Sequence, residues 1–298
     1  MSDFVNTIDL VGDEALTTSI IDKSITEIVD DTVTKVGDYA FAKCTALTVA
    51  DFSAVTNIGR DAFSGCTALT DVNIPSATYI GQCSFDGCTR LTAANFPLAT
   101  FASAQAFRLC ASLASVNFPI MSEIYSELFD SCSKLVTANF PAAKSIGYRA
   151  FACCTALEEI SAPAATSINS STFLQCSKLK TVVFPAVTSI GSAFQQCSAL
   201  ITADFPVVTS ISNSAFNWCS ALTSLILRNT SSVCTLAGTS ALALTPIASG
   251  TGYIYVPSAL LADYQEATNW STYAAQFRAL EDYTVDGTTT GELDPNKI

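Results

Sequence analysis

Apolar residues return at the same places about every 22 residues through most of this chain. A phenylalanine opens each of nine copies: Phe41, Phe63, Phe85, Phe107, Phe129, Phe151, Phe173, Phe194 and Phe216. A cysteine stands three residues after each phenylalanine, a leucine three residues after each cysteine, and a further apolar residue, usually before a proline, five residues after the leucine. One copy of this length cannot bury its apolar residues alone, so the period predicts a solenoid of stacked copies.

The two halves of a repeat carry different patterns. In LTDVNIP (69–75), apolar residues take the first, fourth and sixth places, which predicts a short strand that pairs in parallel with its equivalents and ends at the proline. In TNIGRDAFSGC (56–66), Ile58, Ala62, Phe63 and Cys66 stand at helix-like offsets, which predicts one helical turn on the opposite wall. The expected fold is an α/β repeat solenoid with a parallel sheet of about nine short strands.

The repeat I-G-x-x-A-F-x-x-C-x-x-L-x-x-[VI]-x-[FI]-P resembles the BspA-like leucine-rich-repeat family over residues 34–228. This resemblance implies a right-handed leucine-rich-repeat solenoid. Ala102 and Ala162 depart from the pattern, and one residue is missing before Phe194. The asparagine that caps the turn in commoner leucine-rich repeats is absent from the pattern.

The extent of the repeats divides the chain into three predicted parts. Residues 1–33 hold one degenerate repeat and are predicted to form an N-terminal cap, residues 34–228 hold nine repeats of 21–22 residues, and residues 229–298 form a C-terminal strand-helix cap with a polar tail.

Within the C-terminal cap, a strand is expected from Tyr253 to Val256, with Pro257 opening a helix and a second helical stretch around residues 273–280. Tyr264 and Trp270 are expected to anchor the helix on the last repeat.

The repeated cysteines should form a column with one thiol per turn, about 4.8 Å apart. The column contains Cys44, Cys66, Cys88, Cys110, Cys132, Cys154, Cys176, Cys197 and Cys219. This spacing exceeds the Cβ separation of a disulfide, about 3.8 Å, and the chain has no histidine to complete a metal site. The column is therefore interpreted as buried structural thiols with weak S–H donors. Cys83, Cys153 and Cys234 lie off the column and are expected as exposed thiols.

Composition and charge exclude several functions. The chain has 14 basic and 26 acidic residues, a formal net charge of −12 and a pI near 4.3, which disfavours nucleic acid and anionic membranes as partners. Without histidine, the usual general base is missing, and no glycine-rich phosphate loop occurs. The pairs Glu158 with Glu159 and Glu123 with Glu127 are interpreted as a solvated edge. We expect neither an enzyme nor a cofactor, and no membrane insertion.

Two groups of residues are candidates for binding a protein or a surface glycan. Asn73, Asn95, Asn117 and Asn139 belong to an outward column beside the strands, where small amides form a hydrogen-bonding ladder or merely solvate the strand edge. Arg108 and Trp218 break the small polar trend beside the repeated phenylalanine. Trp218 is either an exposed anchor or a packing partner of the C-terminal cap.

The C-terminal segment, together with a start that carries no export-signal pattern, resembles family members encoded in phages and prophages of gut Firmicutes. This resemblance implies a virion or tail-associated recognition protein, made in the host cytoplasm, that binds a host surface molecule or another virion protein. A bacterial cell-surface adhesin and a structural protein that decorates or cements a particle are the alternatives.

Overall fold

The computed structural model describes residues 23–283, which form a parallel β-solenoid of about 12 turns. In chain order the strands are β1 (Glu27–Val29), β2 (Lys35–Val36), β3 (Val49–Asp51), β4 (Asn57–Ile58), β5 (Asp71–Asn73), β6 (Tyr79–Ile80), β7 (Ala93–Asn95), β8 (Phe101–Ala102), β9 (Ser115–Asn117), β10 (Glu123–Ile124), β11 (Thr137–Asn139), β12 (Ser145–Ile146), β13 (Glu159–Ser161), β14 (Ser167–Ile168), β15 (Thr181–Val183), β16 (Ser189–Ile190), β17 (Thr202–Phe205), β18 (Ser210–Ile211), β19 (Ser224–Leu227), β20 (Thr235–Leu236), β21 (Tyr253–Val256) and β22 (Phe277–Ala279). The expected class, a leucine-rich-repeat solenoid, is confirmed.

The strands build two ladders on different walls of the solenoid. The first ladder takes the odd-numbered strands and β22, and its hydrogen-bonded groups run β1-β3-β5, β7-β9, β11-β13 and β15-β17-β19-β21-β22. The second ladder takes the other strands, in the groups β2-β4-β6-β8 and β10-β12-β14-β16-β18-β20.

All strand pairs are parallel and keep the repeat register. Val49 pairs with Asp71 in the first ladder, and Ile58 pairs with Ile80 in the second. The missing residue of the short repeat falls in the turn between Gly191 and Phe194, so the strands on both sides of this turn still pair.

The prediction of a helical turn in the second half of the repeat is wrong. Asp61 (φ 51°) and Gly65 (φ 73°) have left-handed backbone angles, which a right-handed helix does not contain. The N–H of Phe63 donates to the carbonyl of Ser84 in the next turn, at 2.7 Å, instead of to a carbonyl in its own helix. A run of tight turns buries the same side chains as a helix would, and Ile58 belongs to a strand of the second ladder.

Two columns of aromatic rings fill the interior. The phenylalanines that open the repeats stack from Phe41 to Phe216 with ring centroids 5.1–5.7 Å apart. A second column follows the first ladder through Phe96, Phe118 and Phe140, and is interrupted at Ala162. All of these rings are buried, so stacking of the turns supplies the core that no single repeat has.

The nine column cysteines are all buried and all reduced. From Cys66 to Cys219, each thiol donates to the carbonyl oxygen of the phenylalanine one turn earlier, at 2.9–3.2 Å. Burial raises the pKa of the Cys66 thiol to about 12. Each of these eight cysteines therefore fills a small core position and also ties its turn to the preceding one.

The off-column cysteines differ from one another. Cys83 and Cys153 are half-buried, whereas Cys234 is fully buried, so the expectation of an exposed thiol at Cys234 is wrong. The C-terminal cap covers Cys234: Tyr264 accepts a hydrogen bond from its N–H at 2.9 Å, and Trp270 donates to its carbonyl at 2.6 Å.

The cap contains α1 (Leu261–Glu266) and short 3-10 helices at Thr239–Leu242, Ser258–Leu260, Trp270–Gln276 and Leu280–Tyr283. The second helical stretch does not run through 273–280, because Phe277–Ala279 is strand β22, with Phe277 and Ala279 buried and Arg278 between them half-exposed. Both predicted anchors, Tyr264 and Trp270, are buried against the repeats.

Parts of the predicted caps lie outside the described residues, namely 1–22 at the start and the polar tail from residue 284. Within residues 23–283, the longest α-helix has six residues, and no helix is long and apolar enough to cross a membrane.

Candidate functional site

A column of outward-facing residues runs along the edge of the solenoid formed by the turns. We call it the turn-edge column, and it consists of the residue two places after each repeat phenylalanine, with Leu244 continuing it: Lys43, Gly65, Gly87, Leu109, Ser131, Cys153, Gln175, Gln196, Trp218 and Leu244. Every member has a left-handed φ between 58° and 73°, and none is buried. The fold thus gives each position of the column, which we call a rung, nearly the same backbone φ, and the side chain is what varies.

Toward its C-terminal end, the turn-edge column becomes a chain of side-chain hydrogen bonds. Cys153 donates its thiol to Oε1 of Gln175 at 3.3 Å, and Nε2 of Gln175 donates to Oε1 of Gln196 at 2.8 Å. Trp218 occupies the next position of the column, and its backbone N–H donates to the carbonyl of Ala243 at 3.0 Å. The hydrogen-bonded chain therefore reaches the position next to the tryptophan.

Trp218 is 56% exposed, so the interpretation that it packs against the C-terminal cap is wrong. The tryptophan that packs in the cap is Trp270, which is 1% exposed. An exposed indole on a fixed backbone has the properties of an interface anchor.

The side chain of Trp218 borders a shallow groove of ≈ 520 Å³. The groove is lined by Gln175, Ser177, Gln196, Ser198, Trp218 and Ser220. The three serines stand four places after the phenylalanines of their repeats, so the groove runs between the turn-edge column and a parallel row of hydroxyls. We call it the Trp218 groove.

The predicted asparagines lie on a different wall, at the ends of β5, β7, β9 and β11, and all are exposed. Nδ2 of Asn117 donates to Oδ1 of Asn95 at 2.8 Å, and Nδ2 of Asn73 donates to Oδ1 of Asp51 at 2.9 Å. Each of these two bonds joins neighbouring turns, and none of the four asparagines lines the Trp218 groove.

Arg108 does not offer an unpaired charge. Its guanidinium makes two hydrogen bonds to the carboxylate of Asp86, at 2.8 and 2.9 Å, and these raise the pKa of Arg108 above its ordinary value. It lies five turns from Trp218, about 24 Å along the solenoid at one strand spacing per turn. The structure does not bring the two residues into one site.

Two surface features were missed at the level of sequence. Tyr79, Phe101 and Tyr125 form a ring cluster on the second ladder, with centroids 5.0 and 4.7 Å apart. Tyr79 and Phe101 stand one period apart, a signal that was available, but Tyr125 stands at the position where most repeats have glycine. Leu244, 57% exposed, was missed because it follows the last regular repeat.

A second groove, of ≈ 670 Å³, lies on the first ladder where Ala162 interrupts the inner aromatic column. Its lining includes Asn139, Ser161 and Val183, together with the exposed carboxylate of Glu159. No group of three or more histidine, cysteine, aspartate or glutamate side chains in the described part of the chain is placed to hold a metal ion.

Comparison with known proteins identifies the repeat. The model of the BspA type leucine rich repeat region matches residues 11–136, 100–223 and 144–249, in six copies. No curated protein matches the chain.

Several solved structures are similar to this chain. A leucine rich cell surface protein from Faecalibacterium prausnitzii is 23% identical, with a TM-score of 0.39, over 70% of this chain and 80% of that protein. A leucine-rich repeat protein from Bacteroides ovatus is 21% identical, with a TM-score of 0.44, over 86% and 84%. The pneumococcal vaccine antigen PcpA is 16% identical, with a TM-score of 0.41, over 86% and 78%. The family match covers most of the chain, which therefore belongs to the BspA-type leucine-rich-repeat family.

Proposed function

We propose that this protein is a non-enzymatic recognition protein that binds its partner through the Trp218 groove. The observation that carries the proposal is the exposure of Trp218 beside two glutamines that are hydrogen-bonded to each other. Exposing the large apolar surface of Trp218 to water is unfavourable, and a partner that covers it removes this surface from water. Tryptophan is also enriched among the residues that dominate binding energies.

The rest of the molecule supports binding over catalysis. Leucine-rich-repeat solenoids typically act as binding scaffolds, because stacked turns present a long regular surface. The chain has no histidine, and the adjacent Glu158 and Glu159 are both exposed, an arrangement expected of a solvated edge. Neither groove is lined by an acid and a base placed to share a proton.

For the partner and location, we propose a phage particle or its tail as the place of action, and a host surface molecule or another virion protein as the partner. This part of the proposal is supported by the resemblance of the C-terminal segment to phage and prophage family members. A surface adhesin of a bacterium is the second candidate, and a cementing component of a particle is the third. A local groove around one indole favours recognition over cementing, which needs a broad contact surface.

The test is binding of fluorescently labelled protein to intact gut Firmicutes cells, with Trp218→Ala beside Leu109→Ala. Leu109 is a matched control because it has the same φ of about 60°, is 45% exposed and lies on the same turn-edge column five turns away. We expect Trp218→Ala to weaken binding by about 30-fold or more, the loss of a hot-spot residue, and Leu109→Ala to bind like the unchanged protein. Equal binding by both variants would refute the site, and absence of binding by the unchanged protein would refute host recognition.

The location has a separate test. An antibody against the protein should detect it in density-purified particles after prophage induction of a producing strain. Detection only on the outside of uninduced cells would replace the phage assignment by the adhesin alternative.

A further inference from the structure

We infer that the Trp218 groove binds an uncharged glycan. This inference rests on the proposed function and adds the chemical class of the ligand. The groove combines one exposed indole with amides and hydroxyls only.

The lining of the groove is uncharged, although the chain carries a net charge of −12. None of its six residues is a lysine or arginine that would pair with a phosphate, sulfate or carboxylate, and none is an acid that would pair with an ammonium group. Burying an ionised group without a partner is costly, so a charged ligand would be disfavoured at this place.

The hydrogen-bonding groups suit a ligand rich in hydroxyls. Nε2 of Gln196 donates to no acceptor within residues 23–283, and Oγ of Ser198 makes no hydrogen bond within the same part of the chain, so both remain available. A glutamine amide offers donors and an acceptor, and a serine hydroxyl offers both, as sugar hydroxyls do. The face of the Trp218 indole carries the negative part of the ring quadrupole, which favours the C–H face of a sugar ring.

The spacing of the rungs separates a glycan from a peptide. Rungs along the turn-edge column repeat at one strand spacing, about 4.8 Å, whereas an extended peptide presents side chains on the same side about every 6.7 Å. A peptide laid along the column would lose register after one rung. A pyranose ring is close to one rung in length, so consecutive sugars can face Trp218, Gln196 and Gln175 in turn.

The experiment uses intrinsic tryptophan fluorescence, because the chain has two tryptophans and the other one, Trp270, is buried in the cap. Neutral oligosaccharides of glucose, galactose and N-acetylglucosamine are titrated beside sialylated and sulfated oligosaccharides and an uncharged peptide. We expect neutral oligosaccharides to shift the Trp218 emission and to protect it from acrylamide quenching, with an affinity that changes less than twofold between 50 and 500 mM salt, since no ion pair is involved.

Variants define the site. Trp218→Ala lacks the reporter ring, so its binding is measured by titration calorimetry and should be weaker by about 30-fold or more. Gln196→Ala should weaken binding by about tenfold or more and Leu109→Ala should leave it unchanged, with circular dichroism confirming that all three fold. If cells bind in a Trp218-dependent manner but the whole neutral panel fails, the glycan inference is overturned while the proposed function stands. Salt-sensitive binding of only the sialylated or sulfated sugars, or binding of only the peptide, also overturns it. If neither cells nor sugars bind, both proposals fail.

Discussion

The thiol of Cys154 donates a hydrogen bond to the backbone carbonyl oxygen of Phe129, 25 residues earlier in the chain, at 3.2 Å. The same carbonyl accepts the N–H of Cys132 in its own turn at 3.1 Å. Each repeat phenylalanine with this pattern therefore joins two turns through one oxygen. This arrangement explains a cysteine at the position: alanine would leave out the donor, and a larger residue would not fit in the close-packed core.

Replacing Cys154 by alanine should destabilise the protein by about 1–3 kcal/mol, because it leaves a cavity and removes one of two hydrogen bonds to the Phe129 carbonyl. Cys153→Ala is the control, since this neighbouring thiol is half-buried and should change stability by less than about 0.5 kcal/mol. Urea unfolding followed by circular dichroism measures both. Equal midpoints for the two variants would contradict the structural role of the column.

Because the column thiols are buried, we expect the protein to lose stability in alkaline solution. Burial raises the pKa of Cys66 and of Cys234 from an ordinary value of 9.0 to about 12, and raises that of Cys132 well above 9.0. Above pH 9 the unfolded chain loses these protons and the folded chain keeps them, so stability is complete below pH 9 and declines toward pH 12. Each thiol contributes up to about 1.4 kcal/mol per pH unit.

Urea midpoints measured from pH 7 to 11 test this dependence. We expect a constant midpoint up to about pH 8.5 and a steep decrease beyond it, which becomes shallower in Cys132→Ala. A midpoint that stays level up to pH 11 would show that the thiols ionise equally in both states.

Gly81→Ala should destabilise the protein by about 1–3 kcal/mol through overpacking. A methyl group at Gly81 would lie 2.6 Å from the carbonyl carbon and oxygen of Gly59, which are backbone atoms of the preceding turn and cannot rotate away. Ser103→Ala is the matched control, since Ser103 takes the equivalent position one turn later and already carries a Cβ. Thermal unfolding should separate the two variants; similar melting temperatures would mean that the turns can move apart at no cost.

Substitution by phenylalanine should lower the stability of the protein at Trp270 but not at Trp218. Trp270→Phe removes the donor to the Cys234 carbonyl and leaves a buried acceptor without this partner, at a cost of about 1–3 kcal/mol. Trp218→Phe changes an exposed ring and should alter stability by less than about 0.5 kcal/mol. Urea unfolding of both variants gives the comparison, and a larger loss for Trp218→Phe would contradict the assignment of Trp270 to the cap.

The repeat period was enough to identify the solenoid and its interior. Phe151 and Cys154 are buried because every copy keeps the same residue type at the same place, and a position held apolar in all turns can only face the stacked core. The candidate site was partly accessible in the same way, since Trp218 stands out against smaller residues at its position. The residues around Trp218 could not be predicted, because Gln175, Gln196 and Ser198 look like ordinary polar residues until the turns are stacked.

By itself, the sequence determined the period, the parallel stacking and the buried columns, because these depend on which side chains leave water. Only the tertiary structure decided that the second half of each repeat is a run of turns with its own ladder, and that Arg108 is paired whereas Trp218 is exposed. The physical reason is that tight turns and a helical turn bury the same spacing of apolar residues. What distinguishes them is the partner of alternate N–H groups: those of Asp61, Phe63 and Gly65 donate to carbonyls one whole turn of the solenoid away.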